Sequence, residues 1–214
     1  MTSGAGSAQA MNAADMDRAL TRLAHEILER NPAQAPCLIG IRTRGEFLAR
    51  RIASKMNDIL ASKGLKQPVS LGILDINLYR DDLTLVSERP VVRETVIDFS
   101  IDGAVLVLVD DVLYTGRTVR SAMNALMDFG RPKAIQLAVL IDRGHRELPI
   151  KADFVGKNIP TSDQEVVHVH VKETDGSDHV TVDLILESGP GGHGGSGGSG
   201  HGPSGSPGSG KGSA

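Results

Sequence analysis

Residues 105–118, which read Val-Leu-Val-Leu-Val-Asp-Asp-Val-Leu-Tyr-Thr-Gly-Arg-Thr, give the clearest indication of the fold of this chain. Its apolar run, from Ala104 to Val109, predicts a strand that is buried on both faces, as in a parallel sheet. Two adjacent carboxylates, Asp110 and Asp111, follow at the point where that strand is expected to leave the sheet. Charged groups at the end of a buried strand predict a binding site there.

The next segment, 115–118, supplies hydroxyls, backbone N–H groups and one cation just before a helical pattern of apolar residues. A helix N-terminus with such donors is a ready-made phosphate site. Bare phosphate would repel a pair of carboxylates, so the pair implies a sugar hydroxyl partner or a bridging cation such as Mg²⁺. The combination predicts a phosphorylated sugar that is held by its phosphate and its hydroxyls together.

The hydrophobic strand, Asp-Asp and Thr-Gly-x-Thr resemble the phosphoribosyl pyrophosphate (PRPP) signature of type I phosphoribosyltransferases. With its flanks, the sequence resembles the PyrR family, pyrimidine-operon attenuation regulators that also have uracil phosphoribosyltransferase activity. The resemblance extends from about 19 to 161. Four flanking blocks make it specific: Leu-Thr-Arg-Leu-Ala-His-Glu at 20–26, Gly-Ile-Arg-Thr-Arg-Gly at 40–45, Asp-Ile-Asn-Leu-Tyr-Arg-Asp-Asp at 75–82 and Asp-Arg-Gly-His-Arg-Glu-Leu-Pro-Ile at 142–150.

The resemblance implies a type I phosphoribosyltransferase fold, an α/β domain with a mainly parallel central sheet. Helices would cover both faces, with a small hood over the strand ends and a mobile flap. The implied reaction converts uracil and PRPP to UMP and pyrophosphate with Mg²⁺ as cofactor. UMP or UTP in the same pocket would act as a signal for binding to the leader of pyr mRNA. A homo-oligomer is also implied.

The resemblance assigns roles around the reacting sugar. Asp110 and Asp111 would hold the ribose hydroxyls and position the ring, directly or through the water shell of Mg²⁺. Arg80 would reach the leaving pyrophosphate when the flap, predicted at 83–97, closes and excludes water. Arg42 and Arg44, which flank Thr43 between a strand and a helix, also suit a pyrophosphate, because a guanidinium binds phosphate oxygens in a bidentate fork. The predicted PRPP-binding residues are Arg42, Thr43, Arg44, Val112, Leu113, Tyr114, Thr115, Gly116, Arg117 and Thr118.

Two further sets of residues follow from the same resemblance. By positional analogy with related transferases, Arg143 and Val167 would face the base, while the general base stays unassigned. Lys151 stands where the family pattern suggests arginine, so it would keep the charge but lose a bidentate contact. The predicted RNA-binding residues are Thr21, Arg22, His145, Arg146 and Lys151. On this hypothesis, Arg22 lies on the polar face of the first helix, away from PRPP, and Arg146 points outward.

Both ends of the chain are expected to be disordered. Residues 1–14 are small, polar and uncharged, and 188–214 are dominated by Gly, Ser, Pro and His, too poor in apolar groups to offset chain entropy. The predicted organisation is therefore a disordered segment 1–14, a phosphoribosyltransferase-like domain 15–187 and a disordered tail 188–214.

Within the domain, the first helix is predicted to begin at Asp15, as its cap, and to end at Arg30. A second helix follows the 42–45 turn. The helix after the central motif is predicted to end near Phe129, with Gly130 as C-cap. Strands are predicted at 36–41, 69–80, 104–109 and 134–141, and the segments 151–157 and 165–171 are predicted to continue the same sheet.

Composition excludes several other classes of protein. No apolar run approaches the ~20 residues of a membrane span, and the N-terminus has no signal-peptide core, so a soluble cytoplasmic chain is expected. One cysteine, Cys37, excludes an internal disulfide framework. The net charge of −3 means that RNA would need a local basic patch. His168, His170 and His179 read as surface histidines rather than metal ligands.

Two alternatives to the bifunctional hypothesis stay open. The chain could be an RNA-binding regulator with little physiological catalysis, or a phosphoribosyltransferase that acts on another base. The intact Arg42, Arg44 and Arg80 disfavour loss of catalysis, and the four flanking blocks disfavour a purine or orotate transferase.

Overall fold

The computed structural model describes residues 7–65, 68–76 and 95–185. Arg80, most of the predicted flap, the end of the predicted domain and the predicted tail lie outside these residues. The strands are β1 (Ala8–Met11), β2 (Cys37–Ile41), β3 (Leu71–Leu74), β4 (Val105–Leu113), β5 (Ala134–Asp142), β6 (Phe154–Asn158), β7 (Glu165–His170) and β8 (His179–Leu184). The helices are α1 (Ala13–Arg30), α2 (Arg44–Ser62), α3 (Arg117–Leu126) and α4 (Lys172–Asp175).

Five strands form a parallel sheet in the order β3-β2-β4-β5-β6. The central strand β4 is buried on both faces, as its apolar run predicts, because its side chains alternate between two cores. Val107 and Val109 pack in the core that contains residues of α1 and α2. Leu106 and Leu108 pack in the core that contains residues of α3. The prediction of a mainly parallel sheet with helices on both faces is confirmed.

The first helix begins earlier than predicted. Asn12 is its N-cap: the Asn12 side chain accepts from the Asp15 N–H, and the Asp15 carboxylate accepts from the Asn12 N–H. Asp15 is therefore the third helical residue of a capping box rather than the cap itself. The apolar stripe from Met16 to Ile27 is buried, as its spacing predicts.

A second, three-stranded antiparallel sheet has the order β1-β8-β7 and continues into the short helix α4; we call this group the hood. It corrects two predictions. Residues 8–14 are ordered, because β1 pairs with β8 and α1 begins at Ala13. The segment 165–171 does not continue the central sheet, because β7 pairs with β8 as an antiparallel hairpin.

Several element ends also differ from the sequence prediction. Strand β4 runs to Leu113 rather than Val109, because Val112 and Leu113 still pair with β5. Helix α3 ends at Leu126, with Met127 as its C-cap. In the described part of the chain, no helix is long and apolar enough to cross a membrane.

Candidate active site

The predicted carboxylate pair lies inside the last part of β4, not beyond it. Oδ1 of Asp110 accepts from the Asp111 N–H at 2.9 Å, and Oδ1 of Asp111 accepts from the Val112 N–H at 2.8 Å. Asp110 is only 6% exposed, whereas Asp111 is partly exposed. Each carboxylate is thus held at the strand end through one oxygen, so it is already oriented before a ligand arrives.

The 42–45 loop lies against this pair because Gly45 has no side chain. A Cβ on Gly45 would lie 2.5 Å from the Val109 carbonyl oxygen and 3.2 Å from the Asp110 Cα. The N-terminal turn of α2 therefore packs directly on the end of β4. The Arg42–Thr43 peptide in this loop is cis, and Thr43 is exposed.

The two arginines of the 42–45 loop have different partners. Nη1 of Arg42 lies 3.4 Å from a Glu46 carboxylate oxygen, and both side chains are largely buried. Arg44 donates to Asp175 in the hood from Nε and Nη2, at 3.1 and 2.9 Å. The Asp175 carboxylate, with smaller help from Asp111, raises the pKa of Arg44. The loop therefore carries two cations at the ends of β2 and β4.

The predicted phosphate loop connects β4 to α3. Gly116 has a left-handed conformation, with φ 92°, and caps α3 without any side-chain hydrogen bond. Oγ1 of Thr115 accepts from the Arg117 N–H at 3.3 Å. A cavity of about 350 Å³ is lined by Val112, Leu113, Tyr114, Thr115, Gly116, Arg117, Thr118, Val119 and Glu147. The structure thus brings the predicted 112–118 set together around one cavity at a helix N-terminus.

The 142–150 block supports the phosphate loop from behind. The N–H groups of Glu147 and Leu148 both donate to the Thr115 carbonyl, and Arg117 Nε donates to Glu147 at 2.6 Å. Arg146 Nη1 donates to the carbonyls of Tyr114 and Gly144, each at 2.9 Å. The expectation that Arg146 points outward is wrong, because its guanidinium is bonded inside the loop.

The predicted base-binding residues occupy different surroundings. The guanidinium of Arg143 stacks over the Tyr114 ring at 4.1 Å, and its Nε donates to Thr161 Oγ1 at 2.9 Å. Its Nη2 donates to the Glu165 carbonyl at 2.6 Å, and Arg143 is 6% exposed. Val167, a residue of β7 in the hood, is 7% exposed and packs in the core that contains residues of α1 and α2. Arg143 therefore joins the phosphate loop to the start of β7, two residues before Val167.

The predicted RNA-binding residues of α1 make internal bonds. Oγ1 of Thr21 donates to the Asp17 carbonyl at 2.9 Å. Arg22 pairs with Glu26 at 2.8 Å and donates to the carbonyls of Val155 and Gly156. Arg22 therefore ties α1 to β6, although its side chain remains 49% exposed, and its RNA contact stays a prediction.

The other predicted RNA-binding residues follow β5. His145 has a left-handed backbone, with φ 56°, and its ring contacts the Thr161 carbonyl and, at 2.9 Å, the Asp163 carboxylate. Lys151 is exposed. Sequence reasoning missed Glu147 and Asp175, which pair with two predicted PRPP-binding arginines. Glu147 lies within the 142–150 segment that carries part of the family resemblance, but no local sequence pattern indicated Asp175.

In the described ranges, no group of three or more His, Cys, Asp or Glu side chains could hold a metal ion. The predicted metal ligands are two, Asp110 and Asp111.

His170 and His179 stack at 4.2 Å on the hood, where burial lowers the pKa of His170.

Comparison with known proteins gives consistent results. The family described as "Phosphoribosyl transferase domain" matches residues 10–174. The chain is 57% identical over 176 residues to the bifunctional protein PyrR of Pelotomaculum thermopropionicum, covering 82% of this chain and 94% of that protein. The same protein of Thermus thermophilus is 59% identical over 174 residues, covering 81% and 93%.

Solved structures give the fold alone, because their sequences are distant. A hypoxanthine phosphoribosyltransferase from Staphylococcus aureus has a TM-score of 0.59 at 18% identity and covers 83% of this chain and 92% of its own. The hypoxanthine phosphoribosyltransferase of Trypanosoma cruzi also has a TM-score of 0.59, at 17% identity, with coverage of 82% and 95%. The type I fold predicted from the sequence is confirmed. By its domain match and its identity to these relatives, the chain belongs to the PyrR family of phosphoribosyltransferases.

Proposed function

We propose that this chain transfers the phosphoribosyl group of PRPP to uracil, giving UMP and pyrophosphate. We propose that it also regulates pyrimidine biosynthesis genes by uridine-nucleotide-dependent binding to pyr mRNA. The observation that carries the catalytic part is the meeting of three features at the strand ends: the 42–45 loop, the carboxylates of Asp110 and Asp111, and the phosphate loop. Membership in the PyrR family supports both parts.

The 5′-phosphate binds in the cavity at the N-terminus of α3. Gly116 caps α3 without a side-chain hydrogen bond. The Arg117 N–H donates to Thr115, and the rest of the first helical turn offers further N–H groups to an anion. The hydroxyls of Thr115 and Thr118 line the same cavity and add neutral donors. Glu147, which pairs with Arg117 at its edge, limits the positive charge there.

The ribose hydroxyls bind Asp110 and Asp111. Because each carboxylate already accepts a backbone N–H through one oxygen, little reorganisation is needed when the sugar ring develops positive charge. Arg42 and Arg44, which flank Thr43 in the adjacent loop, stabilise the negative charge on the departing pyrophosphate. Arg80 is proposed to join them, from outside the described residues.

Phosphoribosyltransferases generally use Mg²⁺ with PRPP. Among the described residues, Asp110 and Asp111 have no third carboxylate, His or Cys grouped with them. Such a pair fits Mg²⁺ better than a metal that needs a full protein cage, since Mg²⁺ keeps several waters and takes oxygens from substrate phosphates. Asp110 and Asp111 would hold it directly or through water. When bound, it would neutralise charge on the pyrophosphate oxygens.

For the base we retain Arg143 and Val167. Arg143 is held over Tyr114 and bonded to the Glu165 carbonyl, so it lies between the phosphate loop and β7. Val167, farther along β7, is a buried residue of the hood. A buried guanidinium donor can pair with a pyrimidine carbonyl oxygen, and this supports a base contact at Arg143.

The test of catalysis is product formation from PRPP and Mg²⁺ with uracil, orotate, hypoxanthine, guanine and adenine in parallel. We expect UMP from uracil and much less product from the other four bases. Preferential turnover of another base would favour that substrate instead. Binding of PRPP with no product from any base would favour a regulator with little catalysis.

The regulatory part is tested by filter binding of a pyr leader RNA and an unrelated hairpin at several salt concentrations. Arg22→Ala should lower the salt slope for the leader by about one unit, the value for one lost phosphate contact. Arg131→Ala is the matched control, because Arg131 also bonds backbone carbonyls, at the end of α3. Equal affinity of the wild type for both RNAs would refute the regulatory proposal.

A further inference from the structure

The hood helix α4 and its flanks are clamped to α2 by two arginines. Arg44, in the first turn of α2, holds Asp175 through Nε and Nη2. Arg51, two turns later, holds both Glu173, at 3.0 and 2.6 Å, and Asp178, at 3.0 and 2.8 Å. The second clamp lies outside the proposed site and also joins the hood to α2. The first clamp therefore calls for a separate explanation, since it engages an arginine assigned to pyrophosphate.

Asp175 is itself held firmly. Its Oδ2 accepts from the Val171 N–H at 2.9 Å, and its own N–H donates to the Val171 carbonyl at 2.7 Å. Its side chain is 16% exposed. The bond to Arg44 lowers the pKa of Asp175, so the carboxylate is charged at neutral pH. A fixed, charged acceptor gives the Arg44 guanidinium one defined orientation.

This orientation uses only one edge of the guanidinium. The bidentate pair takes Nε and one N–H of Nη2, which leaves Nη1 and the second N–H of Nη2 outside it. Asp111 is near enough to contribute to the raised pKa of Arg44. The guanidinium therefore lies between the hood and the carboxylate pair, where a departing pyrophosphate would meet its other edge.

We propose that Asp175 is a positioning residue, which holds the Arg44 guanidinium in the orientation that binds the pyrophosphate group of PRPP. The proposal rests on the proposed function, because it assumes that the 42–45 loop binds pyrophosphate. Long arginine side chains lose rotamer freedom when they bind a ligand, and a preformed bidentate partner removes most of that cost in advance. The hood thereby contributes to PRPP binding without touching the substrate.

The proposal separates ligands that contain pyrophosphate from those that do not. PRPP and pyrophosphate need Arg44, whereas UMP uses the phosphate loop and the carboxylates. Asp175→Asn keeps the shape of the side chain but removes its charge. We expect this variant to weaken binding of PRPP and of Mg²⁺-pyrophosphate by about tenfold, the scale of one misplaced charge-assisted hydrogen bond. Binding of UMP should stay within about twofold, because UMP does not use Arg44 and distant sites contribute independently. Isothermal titration calorimetry measures all three.

Asp178→Asn is the matched control, because it weakens the neighbouring clamp on Arg51 and leaves Arg44 alone. It should lower the melting temperature without changing pyrophosphate affinity. A double-mutant cycle completes the test: in an Arg44→Ala background, Asp175→Asn should have no further effect on pyrophosphate binding.

Three outcomes would overturn the proposal: unchanged pyrophosphate affinity in Asp175→Asn, an equal loss in Asp178→Asn, or an equal loss for UMP. A wild-type protein that binds neither PRPP nor pyrophosphate would instead refute the proposed function, and this inference with it. The wild-type titration therefore distinguishes the two failures.

Discussion

The contact between α2 and β4 predicts the effect of a single methyl group. Replacing Gly45 with Ala places a Cβ 2.5 Å from the Val109 carbonyl oxygen. An ordinary carbon–oxygen contact is about 3.3 Å, so the strand end and the helix must separate by roughly 0.8 Å. The atom in the way is backbone of the central buried strand, which cannot move aside as a flexible side chain could.

Two energetic effects of this substitution oppose each other. Alanine is a better helix former than glycine by about 1 kcal/mol. Overpacking a well-packed interior costs about 1–3 kcal/mol, and a rigid backbone neighbour favours the upper part of that range. The net loss is therefore about 1–2 kcal/mol, which corresponds to a fall in melting temperature of roughly 2–8 °C for a domain of this size.

Catalysis should suffer more than stability. The displaced backbone carries Asp110, whose Cα lies 3.2 Å from the added Cβ. A misplacement near 1 Å can cost about 10²-fold, so Gly45→Ala should lower kcat/KM for PRPP by about 10- to 100-fold.

Thermal unfolding and uracil turnover are measured side by side, with Gly64→Ala as the control. Gly64 has φ 78° and open space around it, so alanine there costs about 1–2 kcal/mol of backbone strain without touching the site. The control should lose stability and keep its turnover. Wild-type turnover in Gly45→Ala would show that the close contact between Gly45 and β4 does not position the site. An equal loss of turnover in Gly64→Ala would show that lower stability, rather than displacement of Asp110, causes the loss.

Three further predictions address the carboxylates, the tail and the hood. Asp110→Asn combined with Asp111→Asn should reduce kcat/KM by at least ~10²-fold, since groups that position the reacting sugar are lost; unchanged kinetics would remove them from the site. Truncation after Glu187 should leave melting temperature and uracil turnover unchanged, because the tail's composition cannot form a core, and loss of either would show that the tail docks. Burial lowers the pKa of His170, so the unfolded chain takes up its proton first and stability falls as pH drops below about 6.5. Urea titrations from pH 7.5 to 5 should therefore show a shallower loss in His170→Asn than in the wild type, and equal slopes would contradict this.

The central sheet was predictable because its signals are local. The run before Asp110 has the length and continuity of a strand buried on both faces, and β4 has that burial. The turn before α3 is likewise predicted by adjacent residues, the Thr-Gly-Arg-Thr segment at 115–118. Gly116 in that turn has the positive φ that favours glycine. Family blocks added the 42–45 loop, whose position next to the carboxylates depends on Gly45.

The hood was not predictable in the same way, because its contacts join distant parts of the chain. β1 has four residues of modest strand propensity, and its partner β8 lies about 170 positions later. The 165–171 segment alternates like any strand, and alternation does not specify which sheet it joins. In the sequence, Asp175 is one acidic residue in a polar segment, with no pattern that links it to Arg44. Only the fold brings the two side chains together.

The arginines show most clearly where sequence reasoning stops. Arg22 and Arg146 were both predicted from motif blocks to contact RNA, and each is already bonded to backbone carbonyls inside the protein. A guanidinium has five N–H donors, so Arg22 can hold β6 with part of its donors and still present charge at a surface that is half exposed. Arg146 is less exposed, at 22%, and bonds Tyr114 of the phosphate loop. A change at Arg146 therefore acts on the phosphate loop as well as on any RNA contact, so Arg22 is the better test of the RNA surface.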